Sequence, residues 1–414
     1  MTHVPLRKNR DFVLLQTGQV LSTIGSESTA IAYPLLVLAL TGSPAQAGVV
    51  GFARIVPWAV FGLVAGVVAD RMNRKRVMIV CDVARLAAIL WLVVALAFHR
   101  ASVVQIAIVA FVEGSMYIFF NIAELGALRS VVPSRQLPDA AAAEQARYAT
   151  VSLIAPPLGG ALFGLGRSLP FVADAVSYFF SLASLLAMRT PFQEMRDRDE
   201  ASARAQFAEG LRWLWRHRFF RTCALLFSFV NLVWNALFLV LIVVARRQGL
   251  SGAQIGLLIA IFGGCSLLGS LAAPRIARTL SMRTIVVAGF WLQLGFAVFL
   301  LEPNCYVLLA GVAPAAFFSP AGNSVVIGYR TAIVPDRLTG RVGGVARTIA
   351  LCTMALGPLS AGLLLDAMSA RATVAIFAVV ALALCVIASL HPAIRNAPKL
   401  SDLDDLAHTT ALTA

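Results

Sequence analysis

Charge is scarce in this sequence. Only 13% of its 414 residues are Asp, Glu, Lys or Arg and 59% are hydrophobic, whereas soluble domains carry about 25% charge. An ordinary water-soluble globule is therefore excluded. Histidines are few and unclustered: His3, His99, His217, His391 and His408 fall in tails and connections without metal-ligand spacing, so neither a metal site nor a cofactor is expected. Cys81, Cys223, Cys265, Cys305, Cys352 and Cys385 include no CxxC pair and read as small apolar residues. The His, Asp or Cys cluster that a polytopic membrane enzyme needs near one face is also missing. The chain does not read as an enzyme.

Long apolar runs are what the sequence has instead. Runs of about 20 residues cross a hydrocarbon core of about 30 Å as helices, and backbone groups in lipid permit only helices or closed barrels. Twelve are found, at 12–40, 45–68, 77–98, 103–128, 140–165, 170–188, 219–245, 252–273, 283–301, 304–329, 342–365 and 371–390. The expected fold class is an all-α membrane protein with twelve transmembrane helices. Nothing before Arg10 resembles a cleaved signal peptide, so the first run is expected to be retained.

The net charge of +14 invites a nucleic-acid reading, but the placement of the bases argues otherwise. Of 34 Lys and Arg, 25 fall on one side of the runs and five on the other, while Arg54, Arg85, Arg147 and Arg347 lie inside runs. Positive connections stay cytoplasmic, so both termini are expected inside a cell membrane. The bases also suit anionic lipid heads. Expected partners are lipid, protons and a small molecule, with no nucleic acid, and the chain is expected to be a monomer.

The longest polar interruption divides the runs six and six. Ser43, Ala45, Gln46 and Gly48 recur as Ser251, Ala253, Gln254 and Gly256, and Phe119 and Phe120 as Phe317 and Phe318. Val132, Pro133 and Arg135 recur as Val334, Pro335 and Arg337, and Pro156 and Gly160 as Pro358 and Gly362. Matching order and position indicate two pseudo-symmetric six-helix bundles. The expected domains are 1–188 and 219–392, joined by a cytoplasmic linker at 189–218, with a cytoplasmic tail at 393–414. In the linker, Phe207, Leu211, Leu214 and Trp215 repeat at helical spacing among Arg204, Glu209, Arg212 and Arg216, the pattern of a helix along the membrane surface. A solvated linker with incidental aromatics is the alternative.

The stretch GVVADRMNRKRV at 66–77 concentrates charge between the second and third runs. Gly66 is expected to allow close helix approach, Asp70 and Arg71 to end a helix, Asn73 to take a turn with positive φ, and Arg74, Lys75 and Arg76 to open the next helix. This order, G-x-x-A-D-R-x-N-R-K-R, resembles the corresponding loop signature of the major facilitator superfamily, with Asn73 where the family has Gly. Ala155, Pro156, Pro157, Leu158, Gly159 and Gly160 resemble the G-P-x-x-G-G motif of its antiporter branches, echoed at Gly357 to Gly362. A proline bend beside glycines suits a helix that rocks; a kink without directional meaning is the other reading. The endings of runs 4 and 10 are similar to those of the macrolide and enterobactin exporter branch. The resemblance implies two bundles exposing a midplane cavity alternately, with the acid at Asp70 latching against the start of run 11. Two departures stand: PRIARTLSMR in the second half lacks the acid, and run 4 carries Glu113 in place of the membrane Arg of another antiporter motif.

Ionisable residues at bilayer depth cost about 2.5–3.5 kcal/mol each and are functional candidates. At about 1.5 Å per residue, Glu27, Arg54 and Glu113 share a level about 21–22 Å from the cytoplasmic ends of runs 1, 2 and 4. Glu27 is expected to be the leading proton carrier, Arg54 its modulator and Glu113 a second acid; a static ion pair joining runs 1 and 2 is the alternative. Asp82 and Arg85 are expected to pair with the loop signature. Arg147 and Arg347 are read either as contacts for an anionic substrate or as partners of Glu124 and Glu144. Asn231, Trp234, Asn235 and Phe238 share one face of run 7, a cavity-lining helix by the resemblance. With Gln19, Ser26, Tyr33, Tyr117, Asn121 and Asn323 they suit a bulky amphipathic molecule, while helix–helix hydrogen bonding is the plainer role for each. The reading is a transporter that exports a hydrophobic or amphipathic compound, such as a drug, antibiotic or siderophore, against inward proton flow. A proton-coupled importer, a non-transporting sensor and a membrane enzyme are its rivals.

Overall fold

The computed structural model describes residues 6–190, 192 and 203–395, and among them there is no strand. The first six long helices are α1 (Arg10–Thr41), α2 (Pro44–Arg71), α3 (Arg74–Ala97), α4 (Val103–Val131), α5 (Leu137–Leu165) and α6 (Leu169–Ala187). The linker helix α7 (Ala203–Arg216) precedes α8 (Arg218–Arg247), α9 (Gly252–Thr279), α10 (Met282–Gln293), α11 (Cys305–Ile333), α12 (Asp336–Ala367) and α13 (Ala370–Leu390). Twelve spans are long and apolar enough to cross a bilayer. The ninth continues beyond α10 as a 3₁₀ segment, Leu294–Leu300, where the backbones of Gly295 and Gly311 abut.

Helix starts are set by short polar side chains that satisfy a first-turn N–H. Asn9, Ser43, Ser102, Ser281, Asn304 and Ser369 do this for α1, α2, α4, α10, α11 and α13. Asn73 does it for α3: its φ is −63° and its side chain accepts from the Arg76 N–H at 3.1 Å. The expected positive-φ turn at Asn73 is thus corrected, because the amide is used as a helix cap. Gly66 also departs from expectation. A side chain there would meet nothing within 4 Å, so it mediates no close helix approach. The tight α2–α4 contact lies at Gly114, directly under the Arg54 carbonyl.

The chain forms two compact units, one within Met1–Asp199 and Arg246–Ala260, the other within Glu200–Ala245 and Ile261–Ala414. In the first, α1 packs on α5 and α6, α2 on α4, and α3 on α4 and α6. Small residues make these contacts possible. Gly18 and Gly25 of α1 lie against Ser184, Ser177 and Asp174 of α6, and Gly159 of α5 lies against the Ser28 backbone. Gly160 and Pro156 of α5 meet the backbones of Gly252 and Gly256, which places the start of α9 with the first unit. In the second unit, Gly357 of α12 abuts the backbone of α8.

Helix α7 forms where the sequence indicates, and its apolar face is covered by protein. Leu214 is 1% exposed, Phe207, Leu211 and Trp213 pack against the same core, and Gly210 lies against the Arg341 backbone of α12. The inward tryptophan is Trp213, stacked on His217 at 3.8 Å. Trp215, expected on the apolar face, is exposed.

Candidate functional site

The first unit encloses an ionic network at bilayer depth. Glu113 of α4 accepts from Tyr33 of α1 at 2.6 Å and from Tyr178 of α6 at 3.4 Å. Arg54 of α2 approaches the Glu113 carboxylate at 3.8 Å and donates to the Ser26 carbonyl at 2.9 Å. Ser26 and Tyr178 share a hydrogen bond at 2.9 Å. The Tyr178 ring then lies under the Arg85 guanidinium at 4.5 Å, with Phe120 on another side at 4.7 Å. Arg85 pairs with Asp82 one helical turn away, Ser181 donates to Asp82 at 2.7 Å, and Gln19 donates to Ser181 at 3.3 Å. Five helices thus contribute to one connected polar chain inside an apolar bundle. Buried charges persist there because each is paired or hydrogen-bonded.

The structure therefore redistributes the expected partners. Arg54 is joined to Glu113. Glu27 is exposed, with no hydrogen bond or ion pair among the described residues, although it lies close enough to act on Arg54 electrostatically. Asp82 and Arg85 pair with each other and not with the charged loop, because both are buried and only a local partner can neutralise them. Arg147, 5% exposed, pairs with Glu124 at 2.8 Å and Glu144 at 3.6 Å. That is the structural pairing of its two readings.

The bases of the loop signature serve helix ends. Arg74 donates to the carbonyls of Ala69 and Gly126, and Lys75 to that of Met188 at 2.7 Å. Cations at helix C-terminal carbonyls are favoured by the helix dipole. Arg71 is exposed, and the Asp70 side chain, to which the latch expectation belongs, lies outside the described residues.

The expected substrate contacts separate by exposure. Gln19, Tyr33 and Asn121 are buried and engaged, Asn121 donating to the Tyr148 hydroxyl at 3.3 Å. Tyr117 is half-buried against Trp58, with ring centroids 5.8 Å apart. On α8, Asn235 donates to the Asn231 carbonyl at 2.9 Å, Trp234 meets Phe262 at 5.1 Å, and Phe238 is exposed. Asn323 and Arg347 are exposed. An apolar groove of about 320 Å³ beside α2 and α4, lined by residues such as Val49, Ile108 and Phe111, has no polar group to orient a ligand. Among the described residues no group of His, Cys, Asp and Glu could hold a metal.

One ionisable residue at this level escaped the sequence reading. Asp174 of α6 is fully buried. Counting back from the inner end of α6 at about 1.5 Å per residue puts it about 20 Å up, level with Glu27, Arg54 and Glu113. The depth arithmetic that found those three finds it too.

The sequence matches the profile of the Major Facilitator Superfamily over residues 17–280 and 224–407. The chain belongs to this superfamily. It is a transporter by family, not an enzyme, and a multi-pass membrane protein. It is similar to the multidrug efflux pump Tap of Mycolicibacterium fortuitum, 25% identical over 407 residues that cover 94% of this chain and 97% of Tap. It is also similar to macrolide efflux protein A of Streptococcus pyogenes, 24% identical over 376 residues, covering 86% and 89%. A bacterial homologue of the human lysosomal transporter Spinster, solved inward-facing and unoccupied, shares the fold. The TM-score is 0.71 at 16% identity, covering 99% of this chain and 96% of that one.

Proposed function

We propose that this superfamily member exports hydrophobic or amphipathic small molecules by alternating access, in exchange for protons entering the cell, from a cell membrane in which both termini are cytoplasmic. The observation that carries the reading is the Arg54–Glu113 contact: a buried acid at bilayer depth, held by two phenol hydroxyls and by a guanidinium at 3.8 Å. The Arg54 side chain keeps 25% of its surface exposed, and Glu27 stands within its electrostatic reach. Protonating one acid releases Arg54 toward the other, so proton uptake has a local structural consequence. The efflux relatives named above support export, and the aromatic and amide residues along α8 suit a bulky, weakly polar cargo.

The test is transport of ethidium and of erythromycin in everted vesicles. Wild type is expected to accumulate both when the interior is acidic and to stop on addition of a protonophore. Glu113→Gln and Glu27→Gln are each expected to lower pH-driven accumulation at least tenfold. Accumulation that is indifferent to the protonophore in wild type removes proton coupling. Uptake in right-side-out vesicles under an inward proton gradient replaces export with import.

A further inference from the structure

Asp174 is enclosed with hydroxyls, not a guanidinium, as its bonded neighbours. Its carboxylate has no ion pair among the described residues. Its hydrogen-bond partners are two hydroxyls, Thr29 Oγ1 at 3.2 Å from Oδ2 and Ser177 Oγ at 3.2 Å from Oδ1. Each hydroxyl has one proton and a nearer acceptor for it. Thr29 lies 2.9 Å from the Ser26 carbonyl, and Ser177 lies 2.7 Å from the Asp174 carbonyl. With those protons engaged, what the two hydroxyls offer Asp174 is lone pairs. Two lone-pair contacts are unfavourable for a carboxylate, whereas a carboxylic acid turns one of them into a hydrogen bond by donating its single proton.

The charge inventory of the enclosed cluster agrees. Two guanidinium groups, Arg54 and Arg85, stand among three carboxyl groups, Asp82, Glu113 and Asp174. Asp82 receives Arg85 and Ser181, and Glu113 receives Tyr33, Tyr178 and Arg54. Asp174 is the acid left over. The titratable groups facing it are Glu113 from α4, Arg85 from α3 and Tyr178 from its own helix. Helix α1 presents Thr29 and the backbone of Gly25, and among the described residues α5 presents no titratable group bonded to it. Gly25 has no side chain to shield the carboxyl and no donor to offer it beyond its backbone.

We propose that Asp174 is a neutral carboxylic acid in this conformation and is a further site, beside Glu113 and Glu27, that holds the exchanged proton. Release breaks its O–H bond, sends the proton to water and leaves a carboxylate that feels Arg85, with the enclosed cluster carrying one negative charge in excess; uptake is the reverse. The assignment of this proton to transport rests on the proton-coupled reading above, whereas its residence on Asp174 rests on the hydrogen-bond geometry alone. The acid belongs to α6, which meets α1 and α3, so the store sits inside the bundle, among helix contacts.

Infrared spectroscopy of the purified full-length protein in lipid, without substrate, reads the residence directly. Wild type at neutral pH is expected to show the carbonyl stretch of a protonated carboxylic acid. Asp174→Asn is expected to remove it, and Glu302→Gln, in an exposed connection, to keep it. Because Asn mimics the neutral acid, Asp174→Asn is expected to fold; should it not, Asp174→Glu is expected to shift the band. A wild type without the band, a band unchanged in Asp174→Asn, or an identical band in Asp174→Glu overturns the assignment. In the ethidium assay, Asp174→Asn is expected to lose at least tenfold of the pH-driven accumulation, and full accumulation overturns the storage role. A wild type that has the band but no pH-driven transport supports the neutral acid and removes the proton-coupled reading.

Discussion

The Asp82–Arg85 pair permits a quantitative test of how the enclosed network is held. Asp82 is 0% and Arg85 1% exposed, so neither charge is relieved by water when its partner is removed. Breaking such a buried pair costs about 3–5 kcal/mol, because an uncompensated charge stays inside. Asp82→Asn leaves the Arg85 guanidinium between the Phe120 and Tyr178 rings, contacts worth about 0.5–2 kcal/mol each. Its expected cost is therefore near the lower end, about 3 kcal/mol. Arg85→Met loses the ion pair and the ring contacts together and is expected near the upper end, about 5 kcal/mol. In the double variant no orphan charge remains, Asn still faces the Ser181 hydroxyl and methionine fills part of the space. Its cost is expected to fall short of the sum of the two singles by at least about 2 kcal/mol, beyond the 0.3–0.5 kcal/mol scatter of independent sites. Unfolding of the reconstituted protein by sodium dodecyl sulfate, followed through tryptophan fluorescence, measures all four corners of the cycle. Additive effects would refute the idea that the two charges neutralise one another.

Two further outcomes test local features. Asn73→Ala is expected to lower stability by about 1 kcal/mol and Asn73→Gly by only a few tenths, the order expected for a helix cap; a variant with Gly that is more stable than wild type would instead mark a left-handed turn, and thermal unfolding distinguishes the two. On α7, Leu214→Ala is expected to cost about 2–5 kcal/mol as a core truncation, whereas Glu209→Ala, which breaks the surface pair with Arg341, is expected to cost about 0–1 kcal/mol. Limited proteolysis of the linker in both variants checks that order, and equal protection refutes attachment through the apolar face.

The helices were legible because length and apolarity are properties of the chain itself. The twelve expected runs reappear as spans, and the repeated Ser43 and Ser251 open α2 and α9 with the same serine-to-Gln backbone bond, to Gln46 and Gln254. Depth along a helix was legible for the same reason. What one sequence does not encode so directly is azimuth. Glu27, Arg54 and Glu113 share a level, yet each residue turns about 100° from its neighbour. Ser26 and Ser28 face inward, to Tyr178 and to the Ala155 carbonyl of α5, which leaves Glu27 between them pointing away from the interior and Arg54 free to meet Glu113. Asn73 shows a different limit. Asn favours both left-handed turns and helix caps, and its position just before Arg74 decides for the cap.

The two units repeat their scaffold but not their chemistry. Pro133 and Pro335 stand before corresponding helices, and α5 and α12 each use a glycine, Gly159 and Gly357, to approach the backbone of α1 and α8. The two glycines are not equivalent positions: at the offset of 202 that relates Pro156 to Pro358, Gly159 corresponds to Ala361 and Gly357 to Ala155, so each copy makes its close contact one helical turn away from the other's. The buried ionisable residues are not repeated. Asp82, Arg85, Glu113, Glu124, Arg147 and Asp174 are buried in the first unit, while among the described residues the second buries no Asp, Glu, Lys or Arg. A charge inside an apolar bundle persists only when paired or hydrogen-bonded, and the first unit holds the arrangement that does this. The second unit, relieved of it, presents hydroxyl, amide and aromatic groups: Ser228 with Thr353, Asn231 with Asn235, and Trp234 with Phe262. In the proposed exporter this divides the labour. Substitutions among the first unit's charges are expected to alter coupling, and substitutions along α8 to alter which compounds are carried.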